Sequence, residues 1–300
     1  MPVSMQQICG SNFSYQHMPL TRCFEDMAAL GRAEVELWGV VPQLHAPWMS
    51  DAQAGVVRRL AEGHGLRIIC FTPEQVRYPM NIASPDSRLR SHSISVLKRS
   101  AELAVELGGA RLFLTPGRGL ESEPMQAGWD RAVDSLGEIV GYANDLGIET
   151  LLEPLRRLET NLVTTAADAH RMIREIGFGS LGVALDTVTM AYAEETVDDY
   201  FDALGDRVRH VHLIDGTPSG HLAWGDGDLA LEEMLEAFGR RGYTGAMNVE
   251  LFGDGSYAFD PRTPLQRSYR RIAQAIASVE EQGRHARFRI RSTGGGSDVG

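Results

Sequence analysis

The run Val208-Arg209-His210-Val211-His212-Leu213-Ile214-Asp215 decides how this chain is read. It is too short for a helix and apolar at most positions, so it reads as one buried strand. Side chains alternate across a strand, which puts His210 and His212 on the same face. Two imidazoles side by side in an apolar interior are costly unless a carboxylate or a metal ion engages them. For these eight residues alone, a pair of satisfied core histidines is an equal competitor. The balance shifts because three further strand-like runs end in a carboxylate: Leu151-Leu152-Glu153, Ala184-Leu185-Asp186 and Asn248-Val249-Glu250.

Working outward, apolar strand-like runs alternate with amphipathic helical ones along the whole chain, the pattern of stacked β-α units around a parallel sheet. Strands are expected at 5–9, 35–38, 67–71, 111–114, 149–152, 182–185, 208–214 and 247–251. Helices are expected at 20–30, 51–62, 86–107, 125–146, 166–176, 197–204, 229–240 and 264–281, several closing on a glycine such as Gly177. Eight of each in 300 residues, with no break in composition, favour a single closed (β/α)8 TIM barrel over residues 1–283. A doubly wound open sheet is the competitor, but Gly10-Ser11-Asn12-Phe13 after the first strand is not its GxGxxG turn. The basic, then Gly/Ser-rich stretch 284–300 reads as a disordered tail outside the barrel. The long connections, 39–50, 72–85, 216–228 and 252–263, all follow strands, on the face where barrel active sites are built.

Composition removes several classes of function. A net charge of −11 opposes a nucleic-acid backbone and an anionic membrane surface. No run approaches the roughly 20 apolar residues of a membrane span, and the first residues lack the order of a signal peptide. Cys9, Cys23 and Cys70 form no CxxC, which suits a reducing, cytoplasmic setting and argues against a thiolate zinc cage.

If the barrel closes, Glu153, Asp186, His212 and Glu250 sit at the ends of four neighbouring strands and converge. Three carboxylates and one imidazole make a harder site than sulfur-rich zinc cages. Mn²⁺ fits it best, with Mg²⁺ and Co²⁺ as alternatives, and open positions remain for substrate oxygens. No organic cofactor is called for. Each residue alone has a structural alternative, a salt bridge or a strand-end hydrogen bond; all four together are much harder to explain that way.

Glu153-Pro154-Leu155, Asp186, His210-Val211-His212-Leu213-Ile214-Asp215, Gly225-Asp226-Gly227 and Asn248-Val249-Glu250-Leu251 resemble the sugar phosphate isomerase/epimerase group of the xylose-isomerase-like TIM barrels, and within it the ketose 3-epimerases, fructoselysine 3-epimerases above all. The likeness also takes in Val35-Glu36-Leu37-Trp38-Gly39, Phe71-Thr72-Pro73-Glu74 and Tyr78-Pro79-Met80-Asn81. The resemblance implies that Glu153, Asp186, His212 and Glu250 hold a divalent metal, and that Glu153 and Glu250 double as the acid/base pair. Epimerisation beside a ketone removes a proton from one face and returns one to the other through an enediolate, which suits two carboxylates flanking the substrate. It further implies substrate contacts at Glu159 and His221, with His210 and Trp38 as further candidates. Glu159 has the alternative of pairing with Arg156 or Arg157. His210 has that of orienting His212, and Glu36 reaches toward the site's edge. Small-molecule sugars are the implied partners, and a homodimer or homotetramer the implied assembly.

Two departures from free-ketose 3-epimerases bear on the substrate. Thr189 stands where they place a histidine, and the stretch from Asp215 to His221 lacks their arginine. A larger or derivatised ketose, amine-linked or glycosylated, becomes the expectation. Trp38, Trp48, Tyr78, Met80, Trp224 and Phe252 are candidates to cover its extra group. An aldose–ketose isomerase, or a lyase acting on an oxidised glycoside by carbanion chemistry, would use nearly the same residues. More remote are a non-catalytic sugar-binding protein and the barrel's DNA-repair (AP-endonuclease-like) phosphodiesterase branch, which needs more strand-end histidines and a basic face.

Overall fold

Eight parallel strands pair in chain order, and the eighth closes on the first. They are β1 (Ile8–Ser11), β2 (Glu34–Gly39), β3 (Arg67–Pro73), β4 (Arg111–Leu114), β5 (Thr150–Leu152), β6 (Leu181–Asp186), β7 (Val208–His212) and β8 (Ala246–Val249). Between and after them run α1 (Leu20–Ala29), α2 (Asp51–Gly63), α3 (Ser87–Glu106), α4 (Met125–Asp145), α5 (Ala166–Ile176), α6 (Thr187–Tyr192), α7 (Val197–Leu204), α8 (Leu231–Arg240) and α9 (Arg262–Thr293). The computed structural model describes residues 2–217, 220–253 and 255–293, with side chains as far as 282. The TIM barrel expected from the alternation is the fold.

Local chemistry sets most element ends. Ser50 and Gln53 form a capping box at the start of α2, and Thr196 and Asp199 another at α7. Gly177 closes α5 with φ +81°, a left-handed conformation that a side chain would strain.

Two elements differ from the sequence expectation. The short helix α6 was not foreseen. It begins directly after β6 because Asp186 Oδ1 accepts the N–H groups of Val188 and Thr189, at 2.7 and 2.8 Å, and it is too short to show a helical period. Helix α9 continues to Thr293, into the stretch read as a tail, where His285-Ala286-Arg287-Phe288-Arg289-Ile290-Arg291 contains neither glycine nor proline to stop it. Residues 294–300 of that expected tail lie outside the described residues. Among the described residues no helix is long and apolar enough to cross a membrane.

The core has two parts. A large shell of buried apolar side chains lies between strands and helices. A small separate cluster, Cys70, Phe113, Leu151 and Ala184, occupies the barrel interior. Because side chains alternate, the residue two places on from each interior position also faces inward, one layer nearer the C-terminal mouth. That step leads from Leu151 to Glu153, from Ala184 to Asp186 and from His210 to His212. The parallel register sets Asp186 beside His212 and His212 beside Asn248, with Glu250 two residues beyond. The functional layer is thus the hydrophobic interior continued by one strand period.

Candidate metal and active site

The structure brings Glu153, Asp186, His212 and Glu250 together at the mouth, each at most 7% exposed. His212 Nδ1 lies 3.1 Å from Glu153 Oε1, 3.4 Å from Glu250 Oε2 and 3.9 Å from Asp186 Oδ2. It nevertheless makes no hydrogen bond among the described residues. A buried nitrogen surrounded by carboxylate oxygens, aligned on none of them, is the donor arrangement a divalent cation would complete. Asp186 divides its duties: Oδ1 caps α6 while Oδ2 faces His212. These four residues fit a metal of the oxygen-preferring class.

Electrostatics agrees. Burial pushes the Glu153 carboxyl up to about 8 against the pull of His212, and Asp186 and Glu250 add repulsion. Burial would lower the His212 imidazolium, but Glu250 and Glu36 outweigh it and hold its pKa well above the usual value. Without a cation, Glu153 keeps a proton that a carboxyl in water would release.

Below this layer lies a hub whose full extent only the fold reveals. Glu36, 1% exposed, takes contacts on Oε2 from His210 Nε2 at 2.7 Å, Asn248 Nδ2 at 3.1 Å and His212 Nε2 at 3.3 Å. Thr72 Oγ1 donates to its other oxygen at 2.6 Å. Burial alone would raise the Glu36 pKa, yet His212 and His210 hold it well below the carboxylate range. With a cation bound, an ionised Glu36 would accept from His212 Nε2–H and leave Nδ1, which faces the acids, as the ligand nitrogen. The pairing register shifts between Val35 and Glu36, a local irregularity of the kind that re-aims side chains. Glu36, expected toward the site's edge, lies at the centre of this hub, and His210, a candidate substrate contact whose alternative was a supporting role beside His212, is fully buried and contacts Glu36.

Above the acids opens a cavity of about 330 Å³, at the small end of ligand pockets. Phe13, Trp38 and Phe252 form one side, with Phe13 packed 4.2 Å from Trp38 and 5.6 Å from Phe252, centroid to centroid. His221 stacks on Phe13 at 5.7 Å and reaches Glu250 Oε2 with Nδ1 at 3.1 Å. Burial would lower the His221 pKa, but Glu250 raises it to about 9. Phe113 lies parallel to the His212 ring at 5.1 Å and holds its plane. Glu159 lines the opposite side but is gripped by Arg156 through bonds of 2.8 and 2.9 Å, the structural pairing its sequence context allowed. Thr189 also lines the cavity.

Of the aromatic and apolar residues expected to cover a substrate, Trp38 and Phe252 do line the cavity. The others serve elsewhere. Trp224 is buried and donates to the Leu213 carbonyl, Tyr78 receives the Val41 N–H, Met80 packs on the core, and Trp48 is 77% exposed beside His45. The expected glycine turn Gly225-Asp226-Gly227 winds around buried Asp215, which accepts backbone N–H groups of Gly216, Gly225, Gly227 and Leu229. A Cβ on Gly227 would sit 2.5 Å from Asp215 Oδ1, so that position must be glycine. Phe13, Phe113, Glu74 and Arg77 are not among the candidate site residues of the sequence; their signal was a place at a strand end or in a loop after one, with Glu74 also inside the stretch Phe71-Thr72-Pro73-Glu74 that carries the resemblance.

Comparison with known proteins matches this geometry. The fructoselysine 3-epimerase of Escherichia coli O157:H7 is 29% identical over 274 residues, covering 91% of this chain and 98% of that protein. The D-psicose 3-epimerase of Ruminiclostridium cellulolyticum is 26% identical over 211 residues, 69% of this chain and 70% of the relative. Among solved structures, an L-ribulose 3-epimerase superposes with a TM-score of 0.77 at 20% identity, covering 93% of this chain and 97% of that one. A 3-keto-D-glucoside 4-epimerase from E. coli gives 0.72 at 19% identity, covering 88% and 99%. At such identities the structural likeness speaks for the fold. Residues 24–277 match the family model described as xylose isomerase-like TIM barrel, and with most of the chain inside that match, the protein belongs to the xylose isomerase-like TIM barrel family.

Proposed function

We propose that this protein is a divalent-metal-dependent epimerase of a ketose or derivatised ketose, one that exchanges the proton on the carbon beside the carbonyl through an enediolate. The observation that carries this reading is the pair Glu153 and Glu250. Both line the cavity and both aim an oxygen at the unsatisfied Nδ1 of His212. A metal held by Glu153, Asp186, His212 and Glu250 would polarise the carbonyl as a Lewis acid and offset the charge that develops on its oxygen. The donor set suits Mn²⁺, Mg²⁺ or Co²⁺.

The chain's own groups account for the rest. Glu153 and Glu250 extend from β5 and β8, three strands apart around an eight-stranded ring, so they approach a bound sugar from different sides. One takes the proton and the other returns it, and the direction depends on the epimer bound. His221, hydrogen-bonded to Glu250, steadies that carboxylate and supplies a donor toward substrate oxygens. Phe13, Trp38 and Phe252 exclude water from the developing carbanion. The named activities of the 3-epimerase relatives support C3 as the reacting centre and a sugar as the substrate. The three buried free cysteines suit a reducing compartment such as the cytoplasm.

Incubating the metal-loaded protein in D₂O with D-fructose, D-tagatose and fructosamines tests the reading. Label at C3 is expected. Label at C1 or C2 with formation of an aldose would instead establish aldose–ketose isomerisation by the same acids.

A further inference from the structure

Arg77 stands at the rim of the cavity, on the loop that follows β3. Buried Glu74 builds that loop: its Oε1 accepts the N–H groups of Val76 and Arg77, both at 2.7 Å, and its Oε2 accepts the Trp38 indole N–H at 3.0 Å. The Arg77 guanidinium lies over two aromatic rings of the cavity wall, 4.5 Å from the Phe252 centroid and 5.4 Å from that of Trp38. No carboxylate among the described residues lies within ion-pair distance of it. Arg156, the other arginine of the wall, is already engaged by Glu159 through two bonds.

An arginine stacked on aromatic faces keeps its N–H edges outward, and those edges match a planar or tetrahedral oxyanion. The chain as a whole, at −11, repels anions, so a cation at the mouth with no carboxylate partner among the described residues is a local exception with a direction. The acids at the cavity floor address the reacting end of the sugar; the rim meets whatever the sugar carries at its far end. Resting on the ketose reading above, we infer that Arg77 forms a subsite for an anionic group, carboxylate or phosphate, borne by the substrate away from its reacting carbons.

The test compares binding by isothermal titration to wild type, Arg77→Met and Arg77→Lys. The probes are fructosylglycine, its carboxamide (same amine, no carboxylate), D-fructose 6-phosphate and D-fructose. Wild type should prefer the sugar that bears the anionic group over its counterpart without it by about tenfold at low salt, as removing a charge-assisted fork predicts, and the preference should shrink as salt rises. Arg77→Met should abolish the preference while leaving the sugars without an anionic group within about twofold, and Arg77→Lys should restore part of it. Preference for fructosylglycine assigns a carboxylate, and preference for the 6-phosphate assigns a phosphate. Equal loss for sugars with and without an anionic group in Arg77→Met, or no anion preference in wild type, overturns the subsite. Deuterium exchange at C3 of D-fructose, followed in parallel, judges the epimerase reading separately: its absence strikes that reading while the binding comparison still decides Arg77.

Discussion

The two halves of the barrel mouth use buried carboxylates in opposite ways. In the first half, Glu36 on β2 and Glu74 just after β3 are saturated by donors. Glu36 receives two imidazoles, an amide and a hydroxyl, and Glu74 receives an indole and two backbone N–H groups. In the second half, Glu153 and Glu250 crowd around an imidazole nitrogen that bonds to none of them, and Asp186 keeps one oxygen in reserve. A carboxylate whose acceptor sites are filled by the protein is part of the scaffold. One that turns an oxygen to the same point as its neighbours, at the floor of an open cavity, is placed to take a ligand. Position at a strand end cannot separate the two kinds; what each oxygen faces does.

The sharpest attempt to break that contrast substitutes the two glutamates that face the cavity and His212. Glu153→Gln and Glu250→Gln should each lower kcat by about 10²–10⁴-fold, the usual contribution of a positioned acid or base, while sugar binding persists. Unchanged turnover in either variant would remove that residue from the mechanism. Next comes Glu36→Gln, which leaves the cavity wall intact but no longer fixes the tautomer of His212. Metal affinity should fall by about 10–100-fold, as for other partners of metal-binding histidines, read by titration with Mn²⁺. An unaltered affinity would show that the hub serves packing alone.

Glu74→Gln sharpens the contrast from the scaffold side. It should cost about 1–3 kcal/mol of stability through mismatched buried donors, read by denaturant unfolding, with metal affinity unchanged. A weakened metal site in this variant would blur the two classes.

The smallest effect is a pH trend. Without metal, folded Glu153 keeps its proton up to about 8 and His221 to about 9, against 4.5 and 6.5 for unfolded groups; His212 is shifted in the same direction. Burial lowers His210 and His45, which offsets this below their unfolded value of 6.5; above it the raised groups leave the folded state with more protons than the unfolded one, and stability declines as pH rises. In chelator the thermal midpoint should drop from about pH 6.5 to 9, and saturating Mn²⁺ should flatten the profile by replacing those protons. A midpoint that rises with pH in chelator would contradict the crowding of the acids.

Strand and helix periodicity, glycine C-caps and the alternation of side chains are local properties, and they carried the barrel, the placement of most elements and the convergence of Glu153, Asp186, His212 and Glu250. The step of two residues from Leu151 to Glu153 and from Ala184 to Asp186, and from the polar His210 and Asn248 to His212 and Glu250, is written in the chain itself. What the chain did not display depends on closure. Glu36, on β2 beside a register irregularity, meets His210 and His212 of β7 across a ring whose eighth strand pairs with the first. Helix α6 exists because Asp186 caps it, a contact with no period to announce it. Whether Glu159 faced a sugar or Arg156, and whether Trp48 or Trp38 walled the cavity, was decided by loops packing on one another. Such contacts between residues far apart in sequence have no local signature: their energy appears only once the barrel has brought the partners within hydrogen-bonding distance.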